Sequence, residues 1–286
     1  MARIVLSIPH ASTDIPTEVQ DDYAHHVTRE YLRLQGDIDT GLVYRDLPGV
    51  RAVEYPWHRF FADPNRGEEQ ESEGGVCPTH DFDGRALYVP GREPDAAEKQ
   101  RRVLAYHRPH HERLRAEVAD SRTAFVIDAH SMAPNAPSRS PDRMGELRPD
   151  AVVSNLVLPG AEDYAEGFTS LRRTPGEPLR TCPQPLTQAI ADRLAHWMRA
   201  LEAPEAPQPV RAEVRLNDPF PAGHGVICSV NPAARRPGVQ LELNQGLWTH
   251  PHTHVTQPDR VAWMREVLSH WLRDVERLRD AWASAL

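Results

Sequence analysis

The chain has 286 residues, 40% of them hydrophobic and 26% charged, with 41 acidic side chains against 33 basic ones and a formal charge of −8. An acid surplus argues against nucleic-acid binding, which rests on a basic surface, and a globular composition argues against wholesale disorder. No apolar run approaches the roughly 18 residues of a membrane helix, so no membrane partner is expected.

In chain order, Arg3 to Ile8 has the composition of a strand and ends at Pro9-His10-Ala11-Ser12. A polar stretch leads to Asp37-Ile38-Asp39-Thr40, a helix start with acids near its N-terminus and Leu42, Val43 and Leu47 as its apolar stripe. Arg51 to Tyr55 is a short strand, and residues 63–84, rich in Gly, Glu, Asp and Pro, form a long excursion. A helix is predicted over 94–120, with a kink near Tyr106 to Arg108 because Pro109 lies inside it. Ala124 to Asp128 reads as a buried strand with Ala129-His130-Ser131-Met132 at its carboxyl end. After a Pro-rich loop over 134–149, residues 151–158 return to strand composition.

Leu186, Ile190, Leu194, Trp197 and Leu201 then mark an amphipathic helix. Val239 to Leu243 is a strand interrupted by Glu242, and Val261 to Trp282 carries the stripe of a final helix, placed at 257–284. Strands alternating with helices predict an α/β layered fold around a largely parallel sheet. The three cysteines, odd in number and far apart, fit a reducing compartment. With no signal-peptide pattern after Met1, the expectation is a soluble cytoplasmic protein.

In open α/β sheets ligands sit at the carboxyl ends of strands. His10 and His130 both occupy such positions and could share one divalent ion, with Asp37 supplying a carboxylate; taken singly, each is also compatible with a hydrogen-bonded structural histidine. Glu242 is either on the solvated face of a two-sided strand or a general base beside the metal's water. Arg59-Phe60-Phe61-Ala62-Asp63-Pro64-Asn65-Arg66 is either a solvated loop or a set of planar donors for carboxylates and oxyanions. His107, His110 and His111 fall on the helix, His110 read at best as facing substrate, and His250, His252 and His254 fall in a polar loop.

The chain resembles the N-formylglutamate amidohydrolase family through a series of pieces in order. They run from Ser7-Ile8-Pro9-His10-Ala11-Ser12 and Gly36-Asp37-Ile38-Asp39 through Arg59 and Asp63-Pro64-Asn65-Arg66 to Tyr106-His107-Arg108-Pro109-His110. Asp128-Ala129-His130-Ser131-Met132, Asn217-Asp218-Pro219-Phe220 and Gln240-Leu241-Glu242-Leu243 complete the series. The resemblance implies a three-layer α/β/α hydrolase-like fold with a mixed, largely parallel sheet, similar to zinc carboxypeptidases, and residues 1–286 as a single catalytic domain. It implies one Zn2+ per chain on His10, His130 and Asp37, with Asp39 and Asp14 as alternatives for the third ligand, since Thr13 stands where carboxypeptidases carry a ligand Glu.

The same resemblance makes Glu242 the general base and Arg59 the group that polarises the scissile carbonyl. Asn65, Arg66, Arg139, Asn217 and His224 become the substrate-binding set, His224 standing where the family tends to have Gly. The expected reaction is hydrolysis of an N-formyl or other N-acyl amino acid, led by N-formyl-L-glutamate, so the expected partner is a small anionic substrate. The competing expectations are a carboxypeptidase- or aspartoacylase-like hydrolase and a catalytically silent ligand-binding protein on the same scaffold.

Overall fold

The structure, a computed structural model, describes residues 3–70, 72–138, 140, 142–159, 177–230 and 236–285. In chain order its elements are β1 (Arg3–Ile8), α1 (Arg29–Gln35), α2 (Thr40–Tyr44), β2 (Val50–Glu54), α3 (Ala96–Arg102), α4 (Arg108–Ala119) and β3 (Thr123–Met132). Then come β4 (Ala151–Ser154), α5 (Gln184–Ala200), β5 (Val214–Leu216), α6 (His224–Ser229), β6 (Gly238–Asn244) and α7 (Pro258–Ser284). The described strands form one sheet in the order β2-β1-β3-β6-β4-β5. β1, β2, β3 and β6 are parallel, β4 runs antiparallel to β6, and β5 is parallel to β4. The mixed, mostly parallel α/β sheet expected from the sequence is thus present.

Strand alternation sorts the core into two faces. Ile4, Leu6, Ile8, Phe125, Ile127, Ala129, Leu241 and Leu243 pack against Val43 and Tyr44 of α2 and the apolar stripes of α5 and α7. Trp271 of α7 is 1% exposed there, and truncating such a ring to Ala costs about 3–5 kcal/mol. On the opposite face Val5 and Val126 meet Leu114 and Val118 of α4 and Val226 and Ile227 of α6. Toward the carboxyl ends of the strands this second face turns polar: Ser7 pairs with Asp128, Asp128 with Gln240, and His130 with Glu242. The register therefore delivers four polar side chains of β3 and β6 to one spot.

Three element boundaries differ from expectation. The predicted long helix is split by a π turn at Val103–His107, where Arg108 N donates five residues back to Val103 O. Pro109 has no N–H to offer the preceding turn, and the wider turn absorbs that loss. The β4 strand stops at Ser154 rather than reaching 158, because the N–H groups of Asn155 and Leu156 both donate to Asn217 Oδ1 at 2.8 Å. The β3 strand runs on through Met132, so His130 sits inside the strand rather than after it. Among the described residues, no helix is long and apolar enough to cross a membrane.

Candidate metal centre and its cavity

His10 leaves the end of β1, Asp37 lies just before α2, and His130 sits in β3. All three are buried, and a potential ligand atom of each lies within 4.8 Å of the others. His10 Nδ1 is 3.6 Å from Asp37 Oδ1 and His130 Nδ1 is 3.7 Å from Asp37 Oδ2. The two Nδ1 atoms are 3.1 Å apart. Each ring's Nε2 is engaged by a carboxylate: His10 with Asp63 Oδ1 at 2.8 Å, and His130 with Asp128 Oδ2 at 3.0 Å. If those Nε2 atoms carry the protons, both Nδ1 lone pairs point at one another, which is repulsive unless a cation or a proton stands between them. Imidazoles that donate their outer N–H to carboxylates are the usual support of a metal's histidine ligands. Two imidazole nitrogens and one carboxylate also match the donor set of an open zinc site, so the residues fit a small divalent cation.

The alternatives for the third ligand are occupied elsewhere. Asp39 is bound by Arg33 at 3.0 Å and by the Thr256 hydroxyl. Asp14 is solvent-facing and pairs with Arg29 at 3.3 Å. Asp37 is fixed instead by the Ser131 N–H, which donates to its Oδ2 at 2.7 Å.

Electrostatics follow from this crowding of acids. Burial pushes the Asp37 carboxyl up, but His10, His130 and Arg59 outweigh it and hold the group below its usual value. Burial is likewise outweighed at Asp63, held well below the carboxylate range by Arg59, His10 and Arg66, and at Asp128, lowered by His130. His130 shows the converse: burial pulls it down, yet Asp128, Glu242 and Asp37 raise it to about 9. The field that keeps a proton on His130 is the field that would hold a dication.

Glu242 is buried in β6, with Gln240 Nε2 donating to its Oε1 at 2.9 Å. Burial, supported by Asp37 and opposed by His130, brings its carboxyl up to about 7. The solvated-face alternative for Glu242 therefore does not describe its environment: the residue faces a cavity.

That cavity, of about 560 Å³, is lined by His10, Asp37, His130 and Glu242 together with Arg59, Asn65, Arg66, Arg148 and His224. The segment 59–66 is not a solvated loop, since Phe60, Phe61, Ala62 and Asp63 are all buried. Arg59 places Nε and Nη2 on Asp63 Oδ2 at 3.1 and 2.7 Å, so its guanidinium steadies the carboxylate that steadies His10. Asn65 Oδ1 accepts from Gly225 N at 2.9 Å, tying the segment to α6. Arg66 is half-exposed, and its Nε makes no hydrogen bond but lies 3.9 Å from Asp63 Oδ2.

Other expected site residues are placed differently. Asn217 lies outside the lining and spends its side chain on Asn155 and Leu156. Arg139 lies outside the described residues. His110 packs on Tyr55 and His111 rather than lining the cavity. Asp63, Asp128 and Arg148 were not among the residues anticipated. The available signal for Asp128 was an acid closing the apolar run Ala124-Phe125-Val126-Ile127, where burial demands a partner. A second, wider hollow of about 860 Å³ lies beside α5 and α7, but its Arg260 donates to the carbonyls of Leu247, Pro204 and Gln208 and is fully occupied in packing.

Comparison with known proteins follows the same lines. Residues 2–249 match the family model described as N-formylglutamate amidohydrolase. A curated relative from Pseudomonas aeruginosa, named N-formylglutamate deformylase, is 26% identical over 147 residues, a match covering 47% of this chain and 53% of the relative. This chain's match thus spans about half the length of that relative. Among solved structures, an N-formylglutamate amidohydrolase from Ralstonia eutropha JMP134 has a TM-score of 0.71 at 21% identity, over 98% of this chain and 95% of the other. A gene product of Agrobacterium tumefaciens has a TM-score of 0.58 at 17% identity, over 96% and 92%. At such identities the structural likeness speaks for the fold.

Proposed function

The chain belongs to the N-formylglutamate amidohydrolase family, and from that premise we propose that it is a zinc-dependent amidohydrolase that converts N-formyl-L-glutamate and water into formate and L-glutamate. The observation that carries the proposal is the convergence of His10, Asp37 and His130 with Glu242 in one cavity that also presents Arg66. Zn2+ bound by the first three would act as a Lewis acid toward the formyl oxygen and lower the pKa of a nearby water.

The remaining steps belong to the protein's own side chains. Arg66 and Asn65, both lining the cavity, bind and orient a substrate carboxylate. Glu242, brought up to about 7 by burial and Asp37, accepts a proton from the attacking water as the new C–O bond forms. It then returns that proton to the amine nitrogen as the C–N bond breaks. Arg59, anchored on Asp63, contributes positive charge toward the developing oxyanion. His224, at the cavity wall, bears on which side chain the substrate can carry.

Lining residues run from His10 to Gln245, which supports reading residues 1–286 as one catalytic unit. The three thiols, two of them buried, support a reducing, cytoplasmic setting.

The test is formate release across a panel of N-formyl amino acids. We expect N-formyl-L-glutamate to have the highest kcat/KM, followed by N-formyl-L-aspartate. A preference for uncharged side chains would contradict the substrate assignment, and release of C-terminal residues from acylated peptides would favour a carboxypeptidase-like activity.

A further inference from the structure

Beside that cavity, and sharing His224 with its wall, lies a second cluster: His107, His111 and His224, each offering a ligand atom within 4.8 Å of the others. His107 closes the π turn and His111 follows four residues later on α4, so the two share one helix face. His224 is the first residue of α6, which packs against α4. Ring centroids are 4.6 Å apart for His107 and His111, 5.3 Å for His111 and His224, and 6.2 Å for His107 and His224.

The hydrogen bonds assign the tautomers. His107 Nε2 donates to Arg66 O and His111 Nε2 to Pro64 O, both at 2.9 Å. Those protons leave Nδ1 as the lone-pair atom on each ring. His107 is 1% exposed, and its Nδ1 is buried with no hydrogen-bond partner. Its closest acid, Glu68, is 3.9 Å away and is itself held by Arg108 at 2.7 Å. A buried lone pair with no donor is uncommon enough to need a reason, and an imidazole whose far N–H is fixed by a backbone carbonyl is oriented as metal ligands are. The Cys228 sulfur lies 3.3 Å from His224 Nε2, adding a soft donor beside the cluster.

We propose that His107, His111 and His224 form a second metal site, distinct from the His10, Asp37 and His130 site, that takes Zn2+ or another late first-row dication. Nitrogen-rich donors favour that class over Mg2+ or Ca2+. Burial holds all three imidazoles below their usual pKa, reinforced at His111 and His224 by neighbouring rings and opposed at His107 by the Arg66 carbonyl and Glu68. An ion there clamps α4 to the start of α6. Through the two Nε2 hydrogen bonds it also steadies the carbonyls of Pro64 and Arg66, one and three residues after Asp63, which supports His10. The second site is thus a brace for the wall that carries Asn65, Arg66 and His224.

Equilibrium dialysis of the chelator-stripped full chain against Zn2+, read by elemental analysis, tests this. We expect two equivalents per chain in the wild type, one in His107→Asn and one in Asp37→Ala. A single equivalent that is lost in Asp37→Ala and kept in His107→Asn overturns the second site, as do two equivalents retained in both His107→Asn and His111→Asn. A single equivalent with the opposite pattern upholds this site and overturns the first. Should the variants fail to fold, anomalous diffraction at the zinc edge from wild-type crystals decides: a peak among these three rings supports the site, and no peak there overturns it.

Discussion

Two histidine clusters, which meet at a cavity lined by His10, His130 and His224, live under different electrostatics. Around His10 and His130 the outer ring nitrogens meet the carboxylates of Asp63 and Asp128, and His130 is raised to about 9. Around His107 and His111 the outer nitrogens meet backbone carbonyls, and burial drives the imidazoles down, as it does at His224. The contrast teaches that a histidine's place in a cluster says little until its far nitrogen is known. At His130 the carboxylate of Asp128, with Glu242 and Asp37, makes the ring a stronger base, while at His107 and His111 a carbonyl merely aims it. The first arrangement suits a site that polarises a substrate, and the second suits a brace.

The largest way to break this contrast is at Glu242, which the acid-rich cluster alone possesses. Glu242→Gln is expected to lower kcat by about 10²–10⁴-fold while the bound metal is retained; unchanged turnover in a formate assay would remove Glu242 from the mechanism. Next in size is Asp128→Asn, which takes the carboxylate from behind His130 and is expected to weaken metal binding by about 10–100-fold, measured by competition with a chelating dye. Gly225→Ala probes the same pair sterically, because a Cβ at that position would lie 2.5 Å from Asp128 Oδ2. It is expected to reduce affinity by roughly tenfold as the carboxylate yields.

His58, which belongs to neither cluster, provides the baseline for burial alone. Its Nε2 donates to Leu32 O while its Nδ1 accepts from Phe60 N, so the neutral ring is fully used. Burial, assisted by Arg59, holds it down at about 3. Because the folded value lies below the unfolded value of about 6.5, the unfolded chain binds more protons between those limits. The contribution of His58 to stability is therefore fully present above pH ~6.5 and falls by up to ~1.4 kcal/mol per pH unit as pH drops toward 3. Urea titrations of the wild type and His58→Gln at pH 7, 6 and 5 check this: the stability difference between them should shrink as pH falls, and a constant difference would contradict it. Smallest of all, Glu68→Gln beside the carbonyl-supported cluster is expected to change zinc affinity there by less than about threefold, since the pair it loses is partly solvated.

Much of this could be read from the chain itself. The expected strand ends picked out His10 and His130, although β3 carries His130 inside the strand, and an acid inside Val239-Gln240-Leu241-Glu242-Leu243 marked Glu242, because a lone carboxylate in an apolar run must find a reason to be buried. What stayed hidden depends on pairing across the sheet or across long loops. Asp63 meets His10 from 53 residues away, and no local pattern carries that contact. His107 and His111 stand one helical turn apart and so were visible as a pair, but His224 joins them only because α6 packs on α4. Asn217 matched a family segment, yet it follows β5 at a positive φ of 58° and its Oδ1 accepts from the N–H groups just after β4.

The central claim is that a dication held by His10, Asp37 and His130 supports hydrolysis in the Glu242 cavity. It is tested most directly by the rate of formate release from N-formyl-L-glutamate before and after zinc is returned to chelator-stripped protein, in the wild type and in Asp37→Ala. The account predicts little turnover in the stripped protein, recovery in the wild type on adding zinc, and no recovery in the variant. Full turnover by the stripped wild type, or equal recovery in Asp37→Ala, would contradict it.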